Sequence, residues 1–309
     1  MVDTNPVPLS AAPAATPRLM RWASIASMSV ATVLIVAKTA AWLVTDSVSM
    51  LSSLIDSALD LVSSLITFLA IRLALTPADE DHRFGHGKAE ALAGVAQAGF
   101  ITASAGGLLL TLVDRFLHPR PVQQEFVGAL VSAFAVVLTL ALMLFQNHVV
   151  RRTGSLAISA DRAHYTTDFV NNIAVGIGIY LSSRLNEPLI DLAVAVGVAL
   201  YLGAGAWSIA RVSIDVLMDR ELPTADRQKI LDIVRRHPGV RNVHDLRTRS
   251  SGLHQFIQLH LVLHPTMSLG RAHVMSDSVE AAIHEAFPQA EVIVHIDPWD
   301  DDPTPPAEQ

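Results

Sequence analysis

The chain has 309 residues, of which 51% are hydrophobic and only 17% charged, with a formal net charge of -7 and a mean hydropathy of +0.40. Globular proteins average about 25% charged residues, so this balance excludes a disordered chain and an ordinary soluble enzyme, and the negative charge leaves no basic footprint for nucleic acid. The absence of cysteine also excludes disulfides, thiolate nucleophiles and cysteine-based metal sites, so a bound metal has only carboxylates and the 13 histidines to draw on.

In chain order, residues 1–17 are rich in Pro, Ala and Thr and read as a disordered tail. Residues 22–45 carry one charge, Lys38, and residues 47–71 carry two, Asp56 and Asp60. Four more apolar stretches follow, at about 89–113, 126–147, 155–182 and 189–213. Each exceeds the ~20 residues needed to cross a bilayer core, and none has an internal proline. Helices apolar all round for that length predict six transmembrane spans over residues 18–213. The first is too long for a signal-peptide core, and no small-residue cleavage site closes it. Basic residues cluster on one side: Arg18 and Arg21 before the first span, Arg72, Arg83 and Lys88 after the second, Arg151, Arg152 and Arg162 after the fourth, Arg211 and Arg220 after the sixth. The opposite loops hold only Arg115, Arg120 and Arg184. The positive-inside rule then places both termini in the cytoplasm.

From residue 214 to 298 the composition is that of a soluble domain. Residues 224–237 predict an amphipathic helix, and VHDLRTRSS and FIQLHLVL predict strands. In the second strand Phe256, Gln258 and His260 share one face, and Ile257, Leu259 and Leu261 the other. Residues 268–287 predict a second helix capped by Ser268, and VIVHID a last strand. The order αββαβ predicts a small α+β sandwich with helices on one face of a sheet. Residues 299–309 form an acidic, Pro-rich tail.

Charges inside the apolar spans carry the chemistry. Asp56 and Asp60 are spaced i, i+4 in the second span, and His164 and Asp168 repeat that spacing in the fifth. Each pair projects from one helical face. A mid-span carboxylate costs roughly 2.5–3.5 kcal/mol on insertion scales, and two like charges one turn apart repel. Taken singly, each polar residue could be a helix–helix hydrogen bond or face a water cavity, but for two pairs of matched spacing a divalent cation compensates both costs: three carboxylates and one imidazole make a closed tetrahedral O/N set suited to Zn2+. Because metal binding needs neutral imidazole and ionised carboxylates, it expels protons, and protonation expels metal. The residues therefore suggest exchange of Zn2+ for H+. Elsewhere, Asp79, His82 and His86 in PADEDHRFGHGKAE either chelate a second ion or belong to a solvated acidic loop turned by Gly85 and Gly87. In the soluble domain His244, His260, His295 and Asp297 either converge from separate strands as a metal site or are solvated surface residues, and the metal-site pattern is the favoured reading. Lys88 and Asp219 are either ordinary interfacial charges or a pair tying the third span to the soluble domain.

Taken together, DSVSMLSSLIDSALDLVSS, DHRFGHGKAEALA, RTGSLAISADRAHYTTDFVNN, GVRNVHDLRTR, FIQLHL and VIVHIDP resemble the cation diffusion facilitator family, in particular its bacterial YiiP-type zinc and iron efflux transporters. The resemblance covers residues 20–298. It implies a homodimer in the bacterial inner membrane that exports divalent metal in exchange for protons, with a metallochaperone-like cytoplasmic domain and no organic cofactor. It implies a transport site of Asp56, Asp60, His164 and Asp168 and a loop site of Asp79, His82 and His86. It further implies a binuclear cytoplasmic site of His244, His260, His273, His295 and a bridging Asp297. Lys88 and Asp219 correspond to the family's interface salt bridge. Ile296 stands where the family carries an amide, and Ala163 where it carries a bulkier residue. The resemblance also implies alternating access by rocking of helices 1, 2, 4 and 5 against a 3–6 pair, and Gly94, Gly99, Gly106 and Gly107 in helix 3 would allow close helix approach. The cargo expected is Zn2+, with Fe2+, Cd2+ and Mn2+ as further candidates. The competing readings are a membrane-bound metal sensor and an intramembrane metalloenzyme, and the closed ligand set without a nucleophile speaks against the enzyme.

Overall fold

The computed structural model describes residues 16–45, 48–117, 126–185 and 188–299. The expected tails at 1–17 and 299–309 lie almost wholly outside these residues, as do the side chains of Arg115, Arg120 and Arg184. Six long helices come first: α1 (Thr16–Thr45), α2 (Val48–Ala74), α3 (Ala89–Leu117), α4 (Phe126–Thr153), α5 (Leu156–Leu185) and α6 (Pro188–Leu217). At 1.5 Å per residue even the 27-residue α2 is about 40 Å long, more than the ~30 Å of a bilayer core. Five of the six contain a described stretch that is both long and apolar enough to span a membrane. The exception is α5, whose first half carries Asp161, Arg162, His164 and Asp168. Its polar content is what the bundle encloses, so it is a less apolar span.

Close packing within the bundle is local. Helix α3 runs along α6, and α1 along α2. At Gly94 a Cβ would stand 2.2 Å from Ser213 Oγ on α6, so any side chain there would force Ser213 to shift. Gly99, Gly106 and Gly107 have no atom within 4 Å of such a Cβ, so the close approach expected at all four glycines occurs at one of them. The start of α5 is capped from another helix: Glu90 on α3 accepts from the Ser155 hydroxyl and the Ala157 N–H. A carboxylate there meets backbone N–H groups that have no partner inside α5.

Contacts divide the chain into two compact units that part between Leu217 and Met218. The second unit contains α7 (Thr224–Arg235), β1 (Asn242–Ser251), β2 (His254–Leu263), α8 (Leu269–Ala286) and β3 (Ala290–Pro298). The sheet order is β1-β2-β3, antiparallel then parallel. The parallel pair needs a crossover, and α8 supplies it. One face of β2, with Ile257, Leu259, Leu261 and Leu263, is buried against Ile230 and Val234 of α7 and Val279 and Ile283 of α8. Phe256, on the opposite strand face, is buried as well, because the Arg249 guanidinium lies 4.6 Å over its ring. Ser268 occupies the N-cap position of α8 in an extended conformation, but its side chain makes no capping hydrogen bond.

Candidate metal centres

Helices α2 and α5 bring Asp60, His164 and Asp168 together, with one ligand atom from each lying within 4.8 Å of the others. His164 Nε2 stands 3.2 Å from Asp60 Oδ1 and 3.6 Å from Asp168 Oδ2. The imidazole is 3% exposed, against 18% for Asp60 and 31% for Asp168, so the ring forms the closed side of the site and the carboxylates its open side. Two atoms here, His164 Nδ1 and Asp168 Oδ2, are buried without a hydrogen-bond partner. Buried polar atoms left unpaired are costly, and a bound cation or proton would relieve Asp168. Asp56 lies one turn from Asp60 on the same helix, but its side chain is exposed and stands outside the three-residue group. Near it, Lys38 of α1 donates to Ser57 Oγ at 2.6 Å and to the Ser53 carbonyl at 3.1 Å.

The loop between α2 and α3 folds back on itself. Gly85, at φ +74°, donates to the His82 carbonyl in a conformation that only glycine adopts cheaply; Gly87 is not left-handed. The turn sets His82 Nδ1 at 3.2 Å from Asp79 Oδ1 and His86 Nε2 at 3.3 Å from Asp79 Oδ2. The two imidazoles lie 4.6 Å apart, and His86 Nδ1 is buried without a partner. The backbone N–H of His82 donates to Asp79 Oδ1 at 2.6 Å and holds that carboxyl below its ordinary pKa.

In the second unit the strand register aligns three histidines. His244 pairs with His260 across β1 and β2, and His260 with His295 across β2 and β3. Asp297, two residues beyond His295, gathers all three. Its Oδ2 is 2.8 Å from His260 Nδ1 and 3.3 Å from His244 Nε2, and its Oδ1 is 3.2 Å from His295 Nε2. A β-bulge lies between His244 and Arg247, with Asp245 left-handed at φ +48°. The bulge re-aims local side chains and leaves Asp245 Oδ2 3.6 Å from His260 Nε2. The Arg247 guanidinium donates to Asp245 and lowers its carboxyl pKa. Asp245, Arg247, His260 and His295 border a depression of about 440 Å3. Asp245 was not a candidate from sequence, and only the bulge reveals its position. Ile296 points to the opposite strand face and packs against the core.

His273 is not in this group. It sits exposed on α8, 3.5 Å from Asp277. Lys88 donates to the Leu217 carbonyl at 3.3 Å, and Asp219 receives Arg249 at 3.3 Å.

Known proteins match along almost the whole chain. The model of the cation efflux transmembrane domain matches residues 24–218, and that of the cation efflux protein cytoplasmic domain matches residues 222–299. Cation-efflux pump FieF of Klebsiella pneumoniae is 44% identical over 285 residues, covering 91% of this chain and 93% of the relative. FieF of Cronobacter sakazakii is 44% identical over 282 residues with the same coverage, and FieF of Salmonella choleraesuis is 43% identical over 285. Among solved structures, the metal-bound C-terminal domain of the CzcD transporter from Thermotoga maritima matches at 25% identity, covering 24% of this chain and 87% of that one, with a TM-score of 0.23. With both family models placed end to end over two units that hold three His/Asp clusters, the chain belongs to the cation efflux family, a family of multi-pass membrane transporters.

Proposed function

We propose that the chain exports Zn2+ across the bacterial inner membrane in exchange for protons, as a homodimer with both termini in the cytoplasm, by alternating access. Divalent-cation efflux follows from the family; the ion and its exchange partner are our reading. The observation that carries it is the convergence of Asp60, His164 and Asp168 from two helices midway along the bundle. One imidazole nitrogen faces two carboxylates there. A proton on that nitrogen offsets one carboxylate charge where a divalent ion would offset both, and it occupies the lone pair the metal needs, so the same three side chains hold either cargo but not both. The set offers nitrogen and oxygen ligands without sulfur, which suits Zn2+ and also admits Fe2+, Cd2+ and Mn2+. Asp56, one turn away on α2, supplies the fourth ligand when its side chain turns inward.

The two remaining clusters are proposed as resident sites: Asp79, His82 and His86 in the loop, and His244, His260, His295 and Asp297 on the sheet. His273 joins the latter in the dimer, and Lys88 and Asp219 form the ion pair that stabilises it. The deciding experiment is flux into proteoliposomes for Zn2+, Fe2+, Cd2+ and Mn2+, with and without an imposed pH gradient. Uptake of Zn2+ driven by an opposing proton gradient, and absent in Asp56→Ala, is expected. Zn2+ flux indifferent to the gradient would show a channel, and no flux with intact binding would show a sensor.

A further inference from the structure

The bundle buries a second carboxylate that none of the three clusters uses. Asp161 precedes His164 by three residues on α5 and is 1% exposed. Its Oδ2 accepts from Ser27 Oγ of α1 and from Gln146 Nε2 of α4, both at 2.6 Å. Its Oδ1 accepts from Thr67 Oγ1 of α2 at 3.4 Å and Gln97 Nε2 of α3 at 3.5 Å. All four donors are neutral and buried. A second ring of bonds closes around them. Gln97 also bonds Thr67 at 2.9 Å and Ser63 at 2.7 Å, and Ser64 bridges Ser27 and Tyr165 at 2.9 Å each. One side chain thus ties α5 to each of α1, α2, α3 and α4.

The position of this layer gives it a task. Three residues of helix are about 4.5 Å, so Asp161 sits one turn from His164 toward Leu156, where α5 begins. Successive spans alternate in direction, so that is the end at which α2 and α4 finish and α3 starts. The layer therefore lies between the Asp60, His164 and Asp168 site and the basic-rich end of the bundle. On the other side of the site the Asp168 carboxylate remains 31% exposed. A plug made of hydroxyls, amides and a carboxylate differs from an apolar one. When it parts, each donor and acceptor finds water instead of its partner, so opening leaves no polar group of the layer unpaired. When it closes, every bond must be remade, because an unpaired buried carboxylate is costly.

We propose that the Asp161 layer is the gate on the basic-rich side of the transport site. Asp161 acts as its positioning residue, holding the gate shut by gathering donors from four helices. This rests on the transport reading above. It also bears on the helices that move: Gln97 ties α3 to Ser63 and Thr67 of α2 and to Asp161 of α5 in the closed state, so opening must break that tie.

The absence of cysteine makes the test clean. Ser64→Cys places a single, near-isosteric thiol in the layer, and its reaction with a small water-soluble maleimide is followed in proteoliposomes. With Asp161 intact the thiol is expected to react slowly. Added to Asp161→Ala it should react at least ~10-fold faster, and the same variant should leak Zn2+ down its gradient with no pH difference imposed. Asp161→Asn, which keeps the shape and one oxygen, should fall between the two and serves where Asp161→Ala does not reach the membrane. Zn2+ affinity at Asp60, His164 and Asp168, measured by titration, should stay within ~3-fold, which separates a gate from general misfolding. Unchanged labelling in both variants, or flux that stays strictly proton-dependent, overturns the proposal. Labelling decides it even if the wild-type chain moves no Zn2+, because that result would sink the transport reading alone.

Discussion

The helix bundle and the sheet use the same two side chains, imidazole and carboxylate, in opposite solvents. In the bundle the key histidine is 3% exposed. On the sheet His244, His260 and Asp297 are 35%, 33% and 28% exposed. The difference lies in what a missing ion costs. Around His164 two polar atoms are already left without partners, and the positive charge of Lys38 is shared among Asp56, Asp60 and Asp168, which leaves negative charge for a proton or a metal to offset. On the sheet, water reaches each group, so an empty site is tolerable and an ion adds stability without being obligatory. On the exchange reading proposed above, the buried site gives up one cation only as it takes another, whereas the half-exposed one fills or stays empty.

The largest test removes the buried ligands. Breaking a buried charge pair by deleting one partner costs about 3–5 kcal/mol, so Asp60→Ala and His164→Ala should lower Zn2+ flux in proteoliposomes by about 100-fold or more. Near-wild-type flux in either would erase the contrast between the regions. On the sheet the effect should fall on stability instead. Zn2+ at 100 times its Kd should protect the second unit by about 2.7 kcal/mol, slowing hydrogen exchange at β2 amides by about 100-fold in the full-length protein. Asp297→Ala should abolish that protection while lowering flux less than ~10-fold, roughly 1.4 kcal/mol. A 100-fold loss of flux would make the sheet site part of the transport path.

A third substitution separates the two faces of one strand. Ile296 packs into the core between His295 and Asp297, which face the other way. Ile296→Ala should destabilise the second unit by about 2 kcal/mol, at the low end for a truncated core side chain because this one is only partly buried. Zn2+ affinity of the sheet should change less than ~3-fold. A matching collapse of affinity would mean that core and site are not independent.

How much of this was legible beforehand depended on periodicity. The i, i+4 pairs Asp56/Asp60 and His164/Asp168 and the alternation in FIQLHLVL are local patterns, and the αββαβ order followed from them. What lay outside the sequence depends on three-dimensional closure. Nothing in DSALD says that Asp60 meets His164 while Asp56, one turn away on the same helical face, stands outside the group, because which turn of α2 meets α5 is set by packing. The bulge that brings Asp245 to His260 is a one-residue slip between two strands, invisible in either strand alone. Asp161 sits in a charged run, SADRAHYTTD, that reads as a helix end at the membrane surface. Only the donors from four other helices show that it is buried. Likewise, four glycines in α3 look equivalent in sequence, and the Ser213 side chain singles out Gly94.

The smallest effect should come from the most exposed cluster. Asp79 is 50% exposed and His82 60%, so Asp79→Ala should reduce Zn2+ affinity of the loop by about 10-fold, or 1.4 kcal/mol, and change flux less than ~3-fold. The pH dependence sharpens this. The His82 N–H holds the Asp79 carboxyl below its ordinary range. A depressed carboxyl stays ionised above its ordinary value and is lost only as pH falls through the lower, folded one, so Asp79 carries its charge throughout pH 8 to 5. Metal binding needs neutral imidazole, so protons compete with the metal at the nitrogen ligands of this loop and not at Asp79. Affinity should fall as pH is lowered from 7.5 to 5.5, and with the same slope in Asp79→Ala as in the unmodified loop. Calorimetric titration in an Asp60→Ala, Asp297→Ala background isolates the loop. A shallower slope in Asp79→Ala would show that the carboxyl takes up a proton in this range, and the loop would then resemble the buried site more than the sheet.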